Sequence, residues 1–141
     1  MMISRRDALG SLPLAVLLEL AASAASARAQ ATQPGPTAVF THDLPNLTMD
    51  DWQVTASYVD YPPGRVGNPH RHPGFVLAYV LEGAVVTGIS GQEERTYTVG
   101  QMFFEPPGSV HEVSRNASQT QKARLLAMIF AKKGLPLTAP A

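Results

Sequence analysis

The sequence predicts an all-β domain of sandwich or barrel type, and three observations carry that expectation. β-Branched and aromatic runs alternate with Gly/Pro punctuation at short spacing. The 11 Gly and 12 Pro are spread along the chain without repeating, which suits a turn-rich β protein and neither a collagenous nor a low-complexity one. Beyond residue 29, no segment carries a capped apolar stripe of helical period.

Taken in order, the chain opens with Ser4-Arg5-Arg6-Asp7-Ala8-Leu9, then an apolar Ala/Leu-rich run to about Ala27. Basic, apolar and small-residue regions in that order are those of an export signal, and Ala27-Arg28-Ala29 supplies a small–x–small cleavage site. The paired arginines after a serine resemble the twin-arginine type, although Ala8 and Gly10 depart from its usual Phe and Lys. Pro13 and Glu19 interrupt the apolar run, which disfavours a membrane-spanning helix. Cleavage after Ala29 leaves 112 residues destined for the bacterial periplasm, with no stable membrane span. Residues 30–51 form a lead-in and a first strand at Val39–His42. The barrel domain proper is 52–131, with strands at Trp52–Tyr61, Phe75–Glu82, Ala84–Ser90, Glu94–Val99, Met102–Glu105, Val110–Ser114 and Arg124–Ala131. Gly83 and Ile89-Ser90-Gly91-Gln92 mark hairpin turns. The tail, 132–141, reads as loose after Gly134.

Composition excludes several function classes. At 141 residues there is room for one domain. Lys plus Arg equals Asp plus Glu, 11 each, so there is no basic stripe for a phosphate backbone and nucleic acid is not an expected partner. Without cysteine there can be no disulfide, thiolate ligand, iron–sulfur cluster or cysteine nucleophile. Removing the signal leaves 8 basic and 9 acidic residues, a net charge of −1.

The chemistry is concentrated in two segments. The first is Gly64-Arg65-Val66-Gly67-Asn68-Pro69-His70-Arg71-His72, running on to Gly83. Alternating residues of an extended chain share a face, so His70 and His72 form a two-imidazole clamp. The second segment is Gly100 to His111, followed by Asn116, and its histidine would complete a triad with open coordination positions.

These segments resemble the two motifs of the cupins. Gly64, His70, His72 and Gly83 fall on the first motif. Gly100, Pro106, Gly108 and His111 fall on the second, with Asn116 one residue late. The resemblance covers about Trp52 to Ala131 and implies a small jelly-roll, or double-stranded β-helix, barrel. It carries over His70, His72 and His111 as ligands of one divalent transition metal: iron, zinc, manganese, nickel or copper. The family's acidic ligand falls at position 76, which is Val76, an aliphatic side chain that cannot bind. Three neutral imidazoles would leave the ion its full charge, a strong Lewis acid suited to an enolate, thiolate or carboxylate. Glu105 is the nearest acidic candidate, as a fourth ligand or a partner that orients one.

The expected function is therefore an exported cupin acting on a small organic molecule, by oxygenase-type or Lewis-acid isomerase or lyase chemistry. The alternative is a non-catalytic module that captures a small molecule or a metal. The three histidines aside, the candidate acid–base groups are Glu105, Tyr58 and Tyr61. Val76, Ala78 and Val80, with Met102 and Phe103 or Phe104, are expected to line a pocket that is also core. Arg65 and Arg71 flank the clamp, and Arg71 has the parity that faces solvent. Trp52 would close one end of the barrel, and His42 is a surface or dimer-edge residue. Homodimerisation through barrel edges follows from the resemblance and from edge-strand physics.

Overall fold

A computed structural model describes residues 35–141, so the expected export signal (1–29) lies outside the described residues. Nine strands and no helix occur among the described residues. They are β1 (Trp52–Tyr61), β2 (His70–Arg71), β3 (Phe75–Glu82), β4 (Ala84–Ile89), β5 (Arg95–Thr98), β6 (Met102–Glu105), β7 (Val110–Asn116), β8 (Ala123–Lys132) and β9 (Ala139–Pro140). They form two antiparallel sheets, ordered β1-β8-β3-β6 and β5-β4-β7-β2-β9.

Strict alternation produces the first sheet. In β8, Ala123, Leu125, Ala127, Ile129 and Ala131 are buried while their neighbours are not, so one face of a ten-residue strand is apolar. β1 lies in unbroken register against β8 from Trp52↔Lys132 to Tyr61↔Ala123. Burying the apolar face sends Asp60 and Arg124, direct partners in that register, to the outer side, where they pair at 2.6 Å. Gly83 turns β3 into β4 with a φ of 68°, a left-handed conformation that glycine adopts without a Cβ clash.

The interior divides along its length. Tyr61, Ala78, Val80, Val85, Phe103, Ala123 and Leu125 pack into one solid cluster. Val76, Ala127 and Ile129 form a smaller one, with Leu137 of the tail against it. The smaller cluster borders a cavity of about 630 Å³.

Two local expectations are corrected. Val39–His42 is not a strand; among the described residues it has no hydrogen-bonding partner strand, and Phe40 and His42 instead stack in series, with His42 on Phe104 at 4.2 Å between centroids. The tail is not loose: Ala139–Pro140 pairs with His70–Arg71 as β9.

β7 carries an irregularity that matters for the site. Gly88 faces Val113 and Ile89 faces His111, so β7 has one residue more than β4 at this point. Such a bulge shifts side-chain parity. His111, Ser114 and Asn116 are therefore all buried, although a regular strand would send His111 and Ser114 to opposite faces.

Candidate metal centre

The loop leading from β1 delivers His70 and His72 to one face of β2, with Arg71 turned to solvent. His70 is the direct cross-strand partner of His111 on β7, which puts both imidazoles on the same side. The ring centroids of His70 lie 5.1 Å from those of His72 and of His111. The two motifs are stitched together by the Gly108 amide, which donates to the His72 carbonyl at 2.9 Å.

Each ring is oriented by a partner outside the cluster. His70 Nδ1 is 2.9 Å from the Asn68 carbonyl, and His72 Nδ1 is 2.6 Å from the Leu137 carbonyl. A carbonyl can only accept, so Nδ1 carries the proton in both rings and Nε2 keeps its lone pair free. Metal-binding imidazoles are commonly held in this way. In His111 the roles are exchanged: Nε2 meets the Thr87 hydroxyl at 2.5 Å, and Nδ1 faces the cluster. Burial pushes the His72 imidazole below its ordinary value, outweighing the pull of Glu105, and favours the neutral form that binds metals.

Glu105 stands among these rings. Its Oε2 is 3.7 Å from His72 Nε2 and 3.2 Å from His111 Nδ1. Both Glu105 Oε2 and His111 Nδ1 are buried without a hydrogen-bond partner. Orphaned buried polar atoms are costly, about 1–3 kcal/mol each. Two donors bound to one ion at about 2.1 Å stand about 3.0–3.4 Å apart for angles of 90–110°. The spacing around Glu105 is close to that range, and a divalent cation here would satisfy both orphans. The constellation is nevertheless open: among the described residues, no group of three or more His, Asp or Glu is gathered tightly enough to hold an ion as it stands.

The cavity beside the cluster is lined by His70, His72, Glu105 and His111, by the polar side chains of Tyr61, Arg65 and Ser114, and by an apolar wall including Val59, Val76, Ala78, Leu125, Ala127 and Ile129. Residues 138–140 of the tail form its rim. Tyr61 and Ser114 share a hydroxyl hydrogen bond of 2.8 Å. Burial raises the Tyr61 phenol above its ordinary value, so it remains protonated at neutral pH. The Arg65 guanidinium sits 4.6 Å above the Tyr61 ring and reaches the Asp60 carbonyl.

Of the residues singled out from the sequence, His70, His72, His111, Glu105, Tyr61, Arg65, Val76 and Ala78 meet at this cavity. The others lie elsewhere. Tyr58 is 68% exposed on the outer face of β1, beneath Arg124. Val80 belongs to the solid cluster. Met102 and Phe104 have outward parity on β6, and Phe103 and Glu105 are the inward pair. Sequence reasoning missed Thr87, Ser114 and the Leu137 carbonyl. A lone threonine in the apolar run of β4 was the available signal for Thr87; Ser114 depends on the bulge, and a backbone carbonyl leaves no trace in a sequence. Asn116 holds the fold together: its side-chain amide donates to the Tyr61, Pro62 and Gln121 carbonyls and accepts from the Ser118 amide.

A family model described as the cupin domain matches residues 57–129. Germin-like protein subfamily 2 member 2 of Arabidopsis thaliana is 34% identical over 73 residues, 48% of this chain and 33% of that protein. The chain spans about a third of the length of the curated relatives it matches. Among solved structures, the DMSP lyase DddQ from Ruegeria pomeroyi aligns with a TM-score of 0.54 at 18% identity, covering 97% of this chain and 80% of that one. An uncharacterised protein with a double-stranded β-helix domain from Klebsiella pneumoniae gives 0.51 at 20% identity, covering 68% and 79%. At those identities the likeness is one of fold, and it agrees with the two-sheet barrel described above.

Proposed function

The chain belongs to the cupin-domain family, and from that premise we propose that it is an exported cupin holding one divalent transition metal through His70, His72 and His111 and acting on a small organic anion. The observation that carries this reading is the pairing of free and fixed nitrogens. Backbone carbonyls hold Nδ1 of His70 and His72, leaving Nε2 available, while His111 Nδ1 and Glu105 Oε2 are buried beside them without partners.

When bound, a divalent transition ion would supply Lewis acidity, and a redox-active one would add electron transfer. The chain's own residues do the rest. The apolar wall of Val76, Ala78, Leu125, Ala127 and Ile129 excludes water from the face of the substrate it covers. Arg65, among the cavity-lining residues, is a fixed cation suited to a carboxylate or enolate. Tyr61, kept protonated, offers a hydrogen bond to a developing negative oxygen.

Metal analysis of the natively purified full chain should find about one ion per chain. His70→Ala should abolish it. A folded, metal-free protein that is insensitive to chelators and to His70→Ala would overturn the reading. Oxygen uptake with diketones, thiols and phenols identifies oxygenase chemistry; product formation without uptake identifies an isomerase or lyase; binding without turnover identifies a capture module. Export adds that the mature chain begins at Gln30, which N-terminal sequencing of periplasmic material checks. The same reading includes a homodimer paired at β1, an edge strand with Val54 and Tyr58 exposed, and sedimentation of the mature chain at monomer mass would contradict it.

A further inference from the structure

We propose that Glu105 is the oxygen donor of this centre, a ligand carried on β6 in place of the one that position 76 of β3 lacks. This inference rests on the metal reading above.

Three observations converge on it. First, Val76 and Glu105 are direct partners in the antiparallel β3–β6 register. Side chains of such a pair project from the same face with Cβ atoms about 4.5–5.5 Å apart. A carboxylate lost from one strand can thus be replaced by one from its neighbour, which reaches the same volume from the other side. Second, both positions are inside: Val76 is 1% and Glu105 4% exposed. The valine isopropyl group leaves room on its own strand, and the longer glutamate extends between His72 and His111. Third, the carboxylate has no competing employment. Among the described residues, its ion-pair contacts are those two histidines alone, and Oε2 makes no hydrogen bond. A carboxylate oxygen so deeply buried without an Arg, Lys or hydrogen-bond donor is unusual unless a cation joins it.

The segment also explains why Glu105 can be a rigid ligand. Pro106 restricts residue 105 to extended backbone, and the turn behind it is anchored through Gly108 to the His72 carbonyl. The donor and one of its fellow ligands are therefore tied by main chain. The charge changes as well. Three imidazoles and one carboxylate reduce a divalent ion to a net single positive charge, softening the Lewis acid implied by a valine at position 76 considered alone.

The experiment uses Co²⁺ as probe, since its visible absorption reports the number and type of donors and its affinity is measured by chelator competition. Glu105→Gln is isosteric and neutral. It should weaken Co²⁺ binding by at least tenfold and alter the spectrum without lowering the melting temperature of the metal-free protein. Val76→Glu together with Glu105→Val, which returns the carboxylate to β3, should restore Co²⁺ binding to within severalfold of the original. A purely structural Glu105 gives the opposite signature. Its replacement would lower the metal-free melting temperature, or prevent folding, and the exchanged pair would not recover binding; that result overturns the proposal. Unchanged affinity and spectrum in Glu105→Gln, with binding abolished by His70→Ala, would also overturn it while leaving the metal reading intact. An unsubstituted chain that binds no Co²⁺ would instead remove the metal reading itself.

Discussion

Deleting residues 135–141 should cripple the metal centre although it removes none of the three histidines. His72 donates its Nδ1 proton to the Leu137 carbonyl at 2.6 Å, and β9 pairs with β2 at His70 and Arg71. Loss of such an orienting partner typically costs 10–100-fold in metal affinity, equivalent to about 1.4–2.7 kcal/mol. The metal-free fold should lose less. Leu137 is half-buried against Val76, Ala127 and Ile129, so its burial contributes about 1 kcal/mol and the hydrogen bond about as much again. Chelator competition with Co²⁺ measures the first quantity, and urea unfolding of the chelated protein measures the second. Leu137→Ala separates the causes, because it removes the packing and keeps the carbonyl; its affinity should stay within about threefold of the original. If the deletion leaves affinity unchanged, or Leu137→Ala weakens it just as much, the carbonyl does not orient His72 and the reasoning is wrong.

Other perturbations give equally specific outcomes. Gly74→Ala would put a methyl group 1.7 Å from the Phe130 carbonyl oxygen, on β8 backbone that cannot swing aside; a loss of more than about 3 kcal/mol is expected in urea unfolding, and a near-normal midpoint would contradict the packing. Thr87→Val removes the hydroxyl that meets His111 Nε2 and leaves that nitrogen buried without a partner, so it should lower Co²⁺ affinity by about tenfold and cost the metal-free fold about 1–3 kcal/mol, whereas Thr87→Ser should bind normally. Burial raises the Tyr61 phenol above its ordinary value near 10, so the unfolded chain releases this proton first. Stability from this group is complete below pH 10 and declines as pH rises through the folded-state value. Tyr61→Phe should flatten that alkaline slope in pH-dependent unfolding, and an unchanged slope would show the phenol is not protected.

The sequence was most informative where alternation and turns act locally. The bounds of β1, β3 and β6 follow from β-branched and aromatic runs set between Gly and Pro, and those of β8 come within a residue. The Val39–His42 run has the same residue types but no neighbour among the described residues to pair with, and strand formation needs one. The strands β2 and β9 are only two residues each, hemmed by prolines, and have no period to detect. Inward residues failed where counting was ambiguous: on β6, phase alone distinguishes Phe103 and Glu105 from Met102 and Phe104. The late Asn116 looked like a departure from the family spacing. The bulge in β7 takes up the additional residue, and Asn116 reaches its three carbonyl partners. Least legible was the juxtaposition of Val76 and Glu105, because register between strands 29 positions apart is a property of the assembled sheet.

The division of the interior into a solid cluster and a hollow one has an evolutionary consequence. Around Val80, Val85 and Ala123, which are almost wholly buried and do not line the chamber, substitutions are penalised by new voids or collisions. The wall formed by Val76, Ala127 and Ile129 already borders empty space, and enlarging or trimming it changes the shape of the chamber more than the integrity of the barrel. Selection for a new ligand can therefore act on one end of this small barrel while the other preserves foldedness, with the histidines standing at the boundary.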